Sequence, residues 1–494
     1  MTMPTHGWKA AHRPMLAPHS QFYEGRFGRM FRKLPAWEPR GRTEEDKEKF
    51  IAELAVNSFE AAGPNAELDN TKIPSAYTYF GQFVDHDITF DTTSSMEKQN
   101  DPDRLHNFRT PRFDLDNIYG RGPADQPYLY QDPEINPGQN DSNKLLIGRR
   151  TTEPPTGEED LPRNSEGIAL IGDPRNDENI IVSQLQLALL KFHNRMVDRA
   201  RERFDDPGDV LREAQRLTRW HYQWVVVHDF LKRICGKQLV DGLLRRTGVG
   251  GKPYLQFYRP KHHAYIPVEF SVAAYRIGHS MVRAVYHLND RLTEIREGRP
   301  LPIFGPEDTE GTLQNLRGFR PLPAVWTIQW DRFVEHQRSK PQPSRRIDTK
   351  LAAPLMTLSA SVVGPVPVDD ARRSLAFRNL MRGWRMDLPS GQSVARYMDK
   401  RLIGKGGDDP LWLYLLREAE EQHRGEQLGD VGATIVAEVF VGLLAEDPLS
   451  FYSVRPHWTP ELESAGKEFE LADLLRHAGA PMTRAEVEAL LAPR

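Results

Sequence analysis

The stretch Phe80-Gly-Gln-Phe-Val-Asp-His-Asp-Ile-Thr-Phe-Asp91 constrains this chain most, because it sets Asp85, His86 and Asp87 in succession inside an otherwise apolar segment. Burying that much charge is costly unless a metal, a cofactor or a partner compensates it. On helical spacing Gln82 and His86, four apart, share a face, while Asp85 and Asp87 point to either side of it. An amide and an imidazole then approach one small reactant together. The same residues also read as a capping and salt-bridge cluster around a core histidine, so a second site has to decide between the two.

With 494 residues, 39% apolar, 27% charged and a formal net charge of -3, the chain has an ordinary globular composition without the basic field that nucleic acid demands. Length alone suggests about three domains at ~150 residues each. The single cysteine, Cys235, allows neither an intramolecular disulfide nor a thiolate cluster. After Trp-Val-Val-Val it reads as a buried, inert thiol in a reducing compartment. No apolar run approaches the ~18 residues that span a bilayer, and the N-terminal stretch lacks a signal-peptide core, so a cytoplasmic location is expected.

Taken in order, residues 1–45 read as an extended arm packed on the body. Phe50, Leu54 and Val56 predict an amphipathic helix over Glu44–Ala62. Prolines from Pro102 to Pro155 predict loops between 101 and 160. Within them, Thr110-Pro-Arg-Phe-Asp-Leu-Asp-Asn-Ile-Tyr-Gly120 presents oxygens of Thr110, Asp114 and Asp116 close together, a density that suits Ca²⁺ and equally an Asx-rich turn. Gly172-Asp-Pro-Arg-Asn-Asp-Glu178 is a turn opening a long helix through Leu185, Leu189, Phe192, Met196 and Val197. Arg175 there faces a cavity or makes a surface ion pair, and His193 reads as a structural histidine.

A second long helix is expected from Val210 to Ile234, ending at Gly236. The Gly248–Gly251 turn lacks a nucleotide-loop context, and His262-His263 lacks a ligand partner. In the stretch 269–282, Val272, Tyr275, His279 and Val282 fall on one helical face, and Ala273, Ala274, Gly278 and Ser280 are small enough for something flat to approach. His279 therefore reads as an axial ligand for haem iron or as a core histidine. Loops dominate from 300 to about 370, Trp412 to Leu444 is helical in pattern, and 461–494 reads as a short helical tail.

Together the segments GQFVDHD, TPRFDLDNIYG, GDPRNDE, YRIGH and RNLMRGWRMDLP, in this order between residue 25 and about 445, resemble the animal-type haem peroxidases of the peroxidase-cyclooxygenase superfamily. Without disulfides, the chain looks like a bacterial member. The resemblance implies a mainly α fold: a single large helical domain over 46–460 that encloses haem b, with long proline-rich loops and little β. It implies His279 as proximal ligand, Asn379 as the partner of its Nδ1, and Arg276 and Arg382 as partners of the haem propionates. His86 would be the distal base, Arg175 the distal arginine, and Gln82 the residue that positions water or halide. Asp85 and Glu178 match carboxylates that form ester bonds to haem, while Asn179 stands where another member has a methionine.

Asp87, Thr110, the carbonyl of Arg112, Asp114 and Asp116 match the family's Ca²⁺ site, with Asp116 where serine is usual. Arg382-Gly-Trp-Arg-Met-Asp-Leu-Pro389 departs from the Arg-Asp-His-Gly run common in the family. The implied activity is reduction of H₂O₂ with oxidation of a halide, thiocyanate or a small aromatic donor. One alternative is a fatty-acid dioxygenase working through a tyrosyl radical, although that branch has tyrosine at the position held here by Arg276. The other is a haem-binding protein without catalysis.

Overall fold

Thr43 and Asp46 set the first helix boundary. The Thr43 hydroxyl accepts from the Asp46 amide and the Asp46 carboxylate accepts from the Thr43 amide, both at 3.1 Å, which satisfies two donors that the helix leaves open. In this computed structural model the described residues are 25–90, 106–134, 141–149, 157–245, 247–248, 251–261, 263–305, 314–323, 325–359, 363, 367, 370–404 and 407–492. Expectations for residues 1–24, for His262 and for the middle of the Gly248–Gly251 turn lie outside them.

Helix α1 (Glu44–Ser58) ends at Phe59, where extended backbone enters the strand Glu60–Ala62, which pairs with Lys350–Ala352. The helix expected to reach Ala62 therefore stops at Ser58. Its buried residues are Ile51 and Ala55, whereas Val56 is 76% exposed. The apolar stripe lies one position away from the one read at that end.

Helix α2 (Ala76–Ile88) carries the charged stretch and is buried along most of its length. Helix α3 (Ile180–Arg201) follows a 3₁₀ turn, Pro174–Asp177. Two caps build that corner: the Asp173 carboxylate accepts from the Arg175 amide, and the Asn179 side chain accepts from the amides of Ile181 and Val182. Helix α4 (Pro207–Trp224) continues through a π-helical turn, Val225–Phe230, into Leu231–Cys235 and ends at Gly236 with φ +87°. The π turn sets Phe230 against α2, and a Cβ on Gly81 would stand 3.0 Å from the Phe230 ring.

Helices α5 (Leu375–Arg385), α6 (Leu411–His423) and α7 (Asp430–Glu446) complete the frame of the core. The Glu438 carboxylate, buried in α7, accepts from the amides of Gln256, Phe257 and Tyr258 at 2.7–2.8 Å. A Cβ on Gly442 would lie 2.3 Å from the Tyr258 ring, so this approach requires glycine. The tail holds the helices Leu471–Ala478 and Arg484–Leu491.

Strands are short and the fold is mainly α. β1 (Gly25–Gly28) sits between β2 (His106–Asn107), antiparallel to it, and β3 (Ile266–Pro267), parallel to it. The arm is further pinned where the amides of Met30 and Phe31 donate to the Glu269 carboxylate at 3.0 Å. Cys235 is buried and its thiol is pushed up by burial, in keeping with an inert role. No helix of the described residues is long and apolar enough to cross a membrane.

Candidate active site

One cavity is lined by Gln82, Asp85, His86, Arg175, Glu178, Arg276, His279 and Arg382. Asn379 stands behind His279, and Asp87, Thr110, Asp114 and Asp116 gather at a second point. Arg175 and His279 both face this cavity.

A hydrogen-bond relay fixes the tautomer of His86. Asn176 Nδ2 donates to Gln186 Oε1 at 2.7 Å, which turns the Asn176 oxygen toward His86 Nδ1, also at 2.7 Å. Nδ1 therefore carries the proton, and Nε2, without a partner among the described residues, keeps its lone pair at the cavity. Burial, and then the positive charge of Arg175, push this imidazole down to about 3. It is neutral at physiological pH.

Arg175 is held on two sides of its fork. Nε donates to Asp173 at 3.1 Å, and Nη2 donates to His86 O (3.0 Å), Thr89 O (2.6 Å) and Asp173 Oδ2 (2.8 Å). Its Cζ lies 4.5 Å from the centroid of Phe90. Among the described residues Nη1 alone has no protein partner, which leaves one rigid donor edge for a guest. Burial works to raise the Asp173 carboxyl, but Arg175 and Arg109 hold it well below the usual carboxylate range.

Gln82 donates from Nε2 to Glu178 and accepts at Oε1 from Asn179 at 3.2 Å. Burial lifts Glu178 up to about 7, against the pull of Arg175. Asp85 is likewise raised by burial and accepts from the Thr89 hydroxyl at 3.0 Å.

The stretch 269–282 is not one helix. It breaks into Val268–Ser271, a 3₁₀ turn Ala274–Ile277 and the turn Gly278–Met281. Val272, Tyr275, His279 and Val282 nevertheless all line the cavity. Ala273, Ala274 and Ser280 are fully buried elsewhere, so of those four small residues Gly278 faces the cavity, and a Cβ there would meet nothing within 4 Å. The expected face of four small residues is thus reduced to Gly278.

His279 Nδ1 lies 2.9 Å from Asn379 Nδ2, and Arg276 Nη1 donates to Asn379 Oδ1 at 3.2 Å. Burial, and then Arg276, lower the His279 imidazole to about 3. Helix α5 turns Arg378 and Arg382 to the cavity. One turn on, Arg385 reaches outward, 4.0 Å over the Trp384 ring, and donates to Glu48 of α1 at 2.8 Å. The run that departs from the family pattern serves as an anchor to α1.

At the second point, carboxylate oxygens of Asp87, Asp114 and Asp116 lie within 4.8 Å of one another. Both oxygens of Asp87, both of Asp116 and Oδ1 of Asp114 are buried without a hydrogen-bond partner, while Thr110 donates to Asp114 Oδ2 at 2.6 Å. Burial and mutual repulsion raise Asp87, and burial leads in Asp114 and Asp116 as well. The Arg112 carbonyl accepts no hydrogen bond from the described residues. Orphaned hard oxygens this close together fit a divalent cation. The cavity fits haem by its donor set: two imidazoles of fixed setting, arginines for carboxylates, and open space over Gly278.

Residues 95–304 match the family model for animal haem peroxidase. Over that stretch the chain is similar to the animal haem peroxidases. A relative is the human protein named Probable oxidoreductase PXDNL, 24% identical over 340 residues, which cover 63% of this chain and 22% of that protein. The chain thus spans about a fifth of that relative's length. Peroxidase A of Dictyostelium discoideum superposes with a TM-score of 0.59 at 13% identity, over 96% of this chain and 94% of its own. A fatty acid alpha-dioxygenase of Arabidopsis thaliana gives 0.56 at 15% identity, over 92% and 76%. The chain shares the fold of these two structures. The family match begins after α2 and ends before α5, so folding rather than the matched segment brings His86 and Arg382 to the cavity and Asn379 behind His279.

Four residues around these sites were not identified from sequence: Asn176 and Gln186, which set the His86 tautomer, and Asp173 and Arg109, which hold Arg175. Asp173 reads locally as a helix start, and no spacing rule links positions 86, 176 and 186.

Proposed function

We propose that this protein is a haem peroxidase that reduces H₂O₂ and oxidises a halide, thiocyanate or a small aromatic donor. One observation carries the reading: His86, with Nε2 open, and Arg175, with Nη1 open, line the same cavity as His279. Bound there, haem supplies an iron at which peroxide is reduced by two electrons.

The remaining steps belong to the chain. His279 would hold the iron through Nε2, which places a proton on Nδ1 and requires the Asn379 amide to present its oxygen instead of its nitrogen. Arg276, giving up Asn379, and Arg382 would pair with the propionates. His86 Nε2 takes a proton from the inner oxygen of peroxide and returns it to the outer one, so that water leaves. Arg175 Nη1 donates to the charge that develops on the departing oxygen and cannot lose its own proton.

Gln82 positions water or halide between α2 and Glu178. Asp85 and Glu178 are the carboxyls that would form ester links to haem, and Asn179 brings no sulfur for a third. Asp87, Thr110, Arg112 through its carbonyl, Asp114 and Asp116 would hold Ca²⁺, next in sequence to the distal base.

The dioxygenase alternative draws on the Arabidopsis likeness and on Tyr275, which lines the cavity. Its hydroxyl donates to Gly81 O at 3.1 Å and its ring stacks on Phe270 at 4.9 Å. Haem-loaded protein mixed with stoichiometric H₂O₂, then with bromide, iodide, thiocyanate or guaiacol, separates the readings. Prompt spectral conversion followed by donor oxidation supports the peroxidase. O₂ uptake with linoleate supports the dioxygenase, and an unchanged spectrum would refute both.

A further inference from the structure

The charges around the distal arginine continue beyond Asp173. Arg109, 4% exposed, donates to the Asp173 carboxylate from Nε at 3.1 Å and Nη2 at 2.5 Å, and to Gly172 O at 3.3 Å. Its Nε also lies 3.5 Å from Asp116 Oδ1 in the carboxylate cluster. Arg109 and Arg175 both lie over the Phe90 ring, with Cζ 5.4 Å and 4.5 Å from its centroid.

The result is a buried row of alternating charge: Asp116, Arg109, Asp173, Arg175, exposed by 7%, 4%, 0% and 7%. With all four groups ionised its net charge is zero. Charges persist in such surroundings when each has its opposite in contact. Asp173 is the one carboxylate shared by both guanidinium groups, so the direction in which it holds Arg175 depends on how Arg109 holds it.

We propose that Arg109 is a positioning residue: it fixes Asp173, and through it the Nη1 edge of Arg175, and its pairing with Asp116 ties that setting to the cation loop. This rests on the reading of Arg175 as the distal donor. Arg109 itself does not line the cavity.

The test uses haem-loaded protein in excess Ca²⁺ and measures two rates by stopped flow: reaction with H₂O₂ and association of cyanide. Arg175→Leu is expected to slow the peroxide reaction. Arg109→Leu, which removes charge-assisted hydrogen bonds, is expected to slow it about tenfold with an unaltered resting haem spectrum. In an Arg175→Leu background the same change should add nothing, because its effect passes through Arg175. Arg109→Lys keeps a cation between Asp173 and Asp116 and so secures folding, but cannot donate from a fork; its rates should fall between native and Arg109→Leu, and it too should be silent without Arg175.

An undiminished rate in Arg109→Lys and Arg109→Leu overturns the proposal, as does an equal loss with and without Arg175, which marks a general structural role. If Arg175→Leu itself leaves both rates unchanged, the distal reading of Arg175 fails and the proposal falls with it.

Discussion

Neutralising Asp114 should change stability in opposite directions with and without a cation. At separations up to 4.8 Å the carboxylates of Asp87, Asp114 and Asp116 repel by about 3.5 kcal/mol per pair at an effective dielectric of about 20, or about 10 kcal/mol in all. Arg109, 3.5 Å from Asp116, offsets about 5 kcal/mol of this on the same scale. The remainder is comparable with the ~5–15 kcal/mol that holds an ordinary protein folded. Asp114→Asn deletes two of the three repulsions, and the new amide can donate to oxygens of Asp87 and Asp116 that accept no hydrogen bond. Because burial raises all three acids and lets them take up protons, the gain is capped at about one pair, near 3 kcal/mol. In urea unfolding of the haem-free protein at pH 8, the variant should be more stable than native protein in EGTA and less stable in excess Ca²⁺, where it lacks a ligand. A variant less stable than native under both conditions would refute the electrostatic account.

His279→Ala should abolish stable haem binding, seen as loss of the Soret band on haem titration. His86→Leu should retain haem and lower the rate of reaction with H₂O₂ by roughly 10²–10⁴-fold, the usual range for a lost acid–base group. After peroxide treatment, acid-acetone should leave part of the haem on native protein and none on a protein carrying both Asp85→Asn and Glu178→Gln. His193, held between Tyr119 and the Asn143 carbonyl, is lowered by burial to about 4, below its unfolded value near 6.5. The unfolded chain therefore binds the extra proton first, and the stabilising effect is complete above pH 6.5 and fades toward pH 4. His193→Gln should flatten that part of the pH profile of unfolding.

What the sequence displayed well were groups whose roles are local. Asp85, His86 and Asp87 declare themselves by lying adjacent in an apolar helix, and Gln82 by its one-turn spacing. Thr110, Asp114 and Asp116 show oxygen crowding within a few residues. The long helices follow from their apolar period, although α1 stops short of Ala62 because strand pairing with Lys350–Ala352 outweighs local helical preference. The 269–282 stretch reads as one helix because the cavity residues happen to recur at helical spacing, while the chain breaks at Val272 and Ala273. Least legible were Asn176, Gln186, Asp173 and Arg109, whose importance comes from partners far away in the chain. A pairing such as Arg109 with Asp173, 64 residues apart, leaves no periodic trace.

The π turn at Val225–Phe230 carries an implication for how such a chain can drift. The π turn aims Phe230 at position 81, where a Cβ would stand 3.0 Å from the ring and 3.7 Å from the Tyr275 hydroxyl. Losing one residue of that turn would swing Phe230 aside by about 100°, one helical step. Position 81 and the turn at 225–230 therefore bear on each other, and alanine at 81 gains room as Phe230 moves aside.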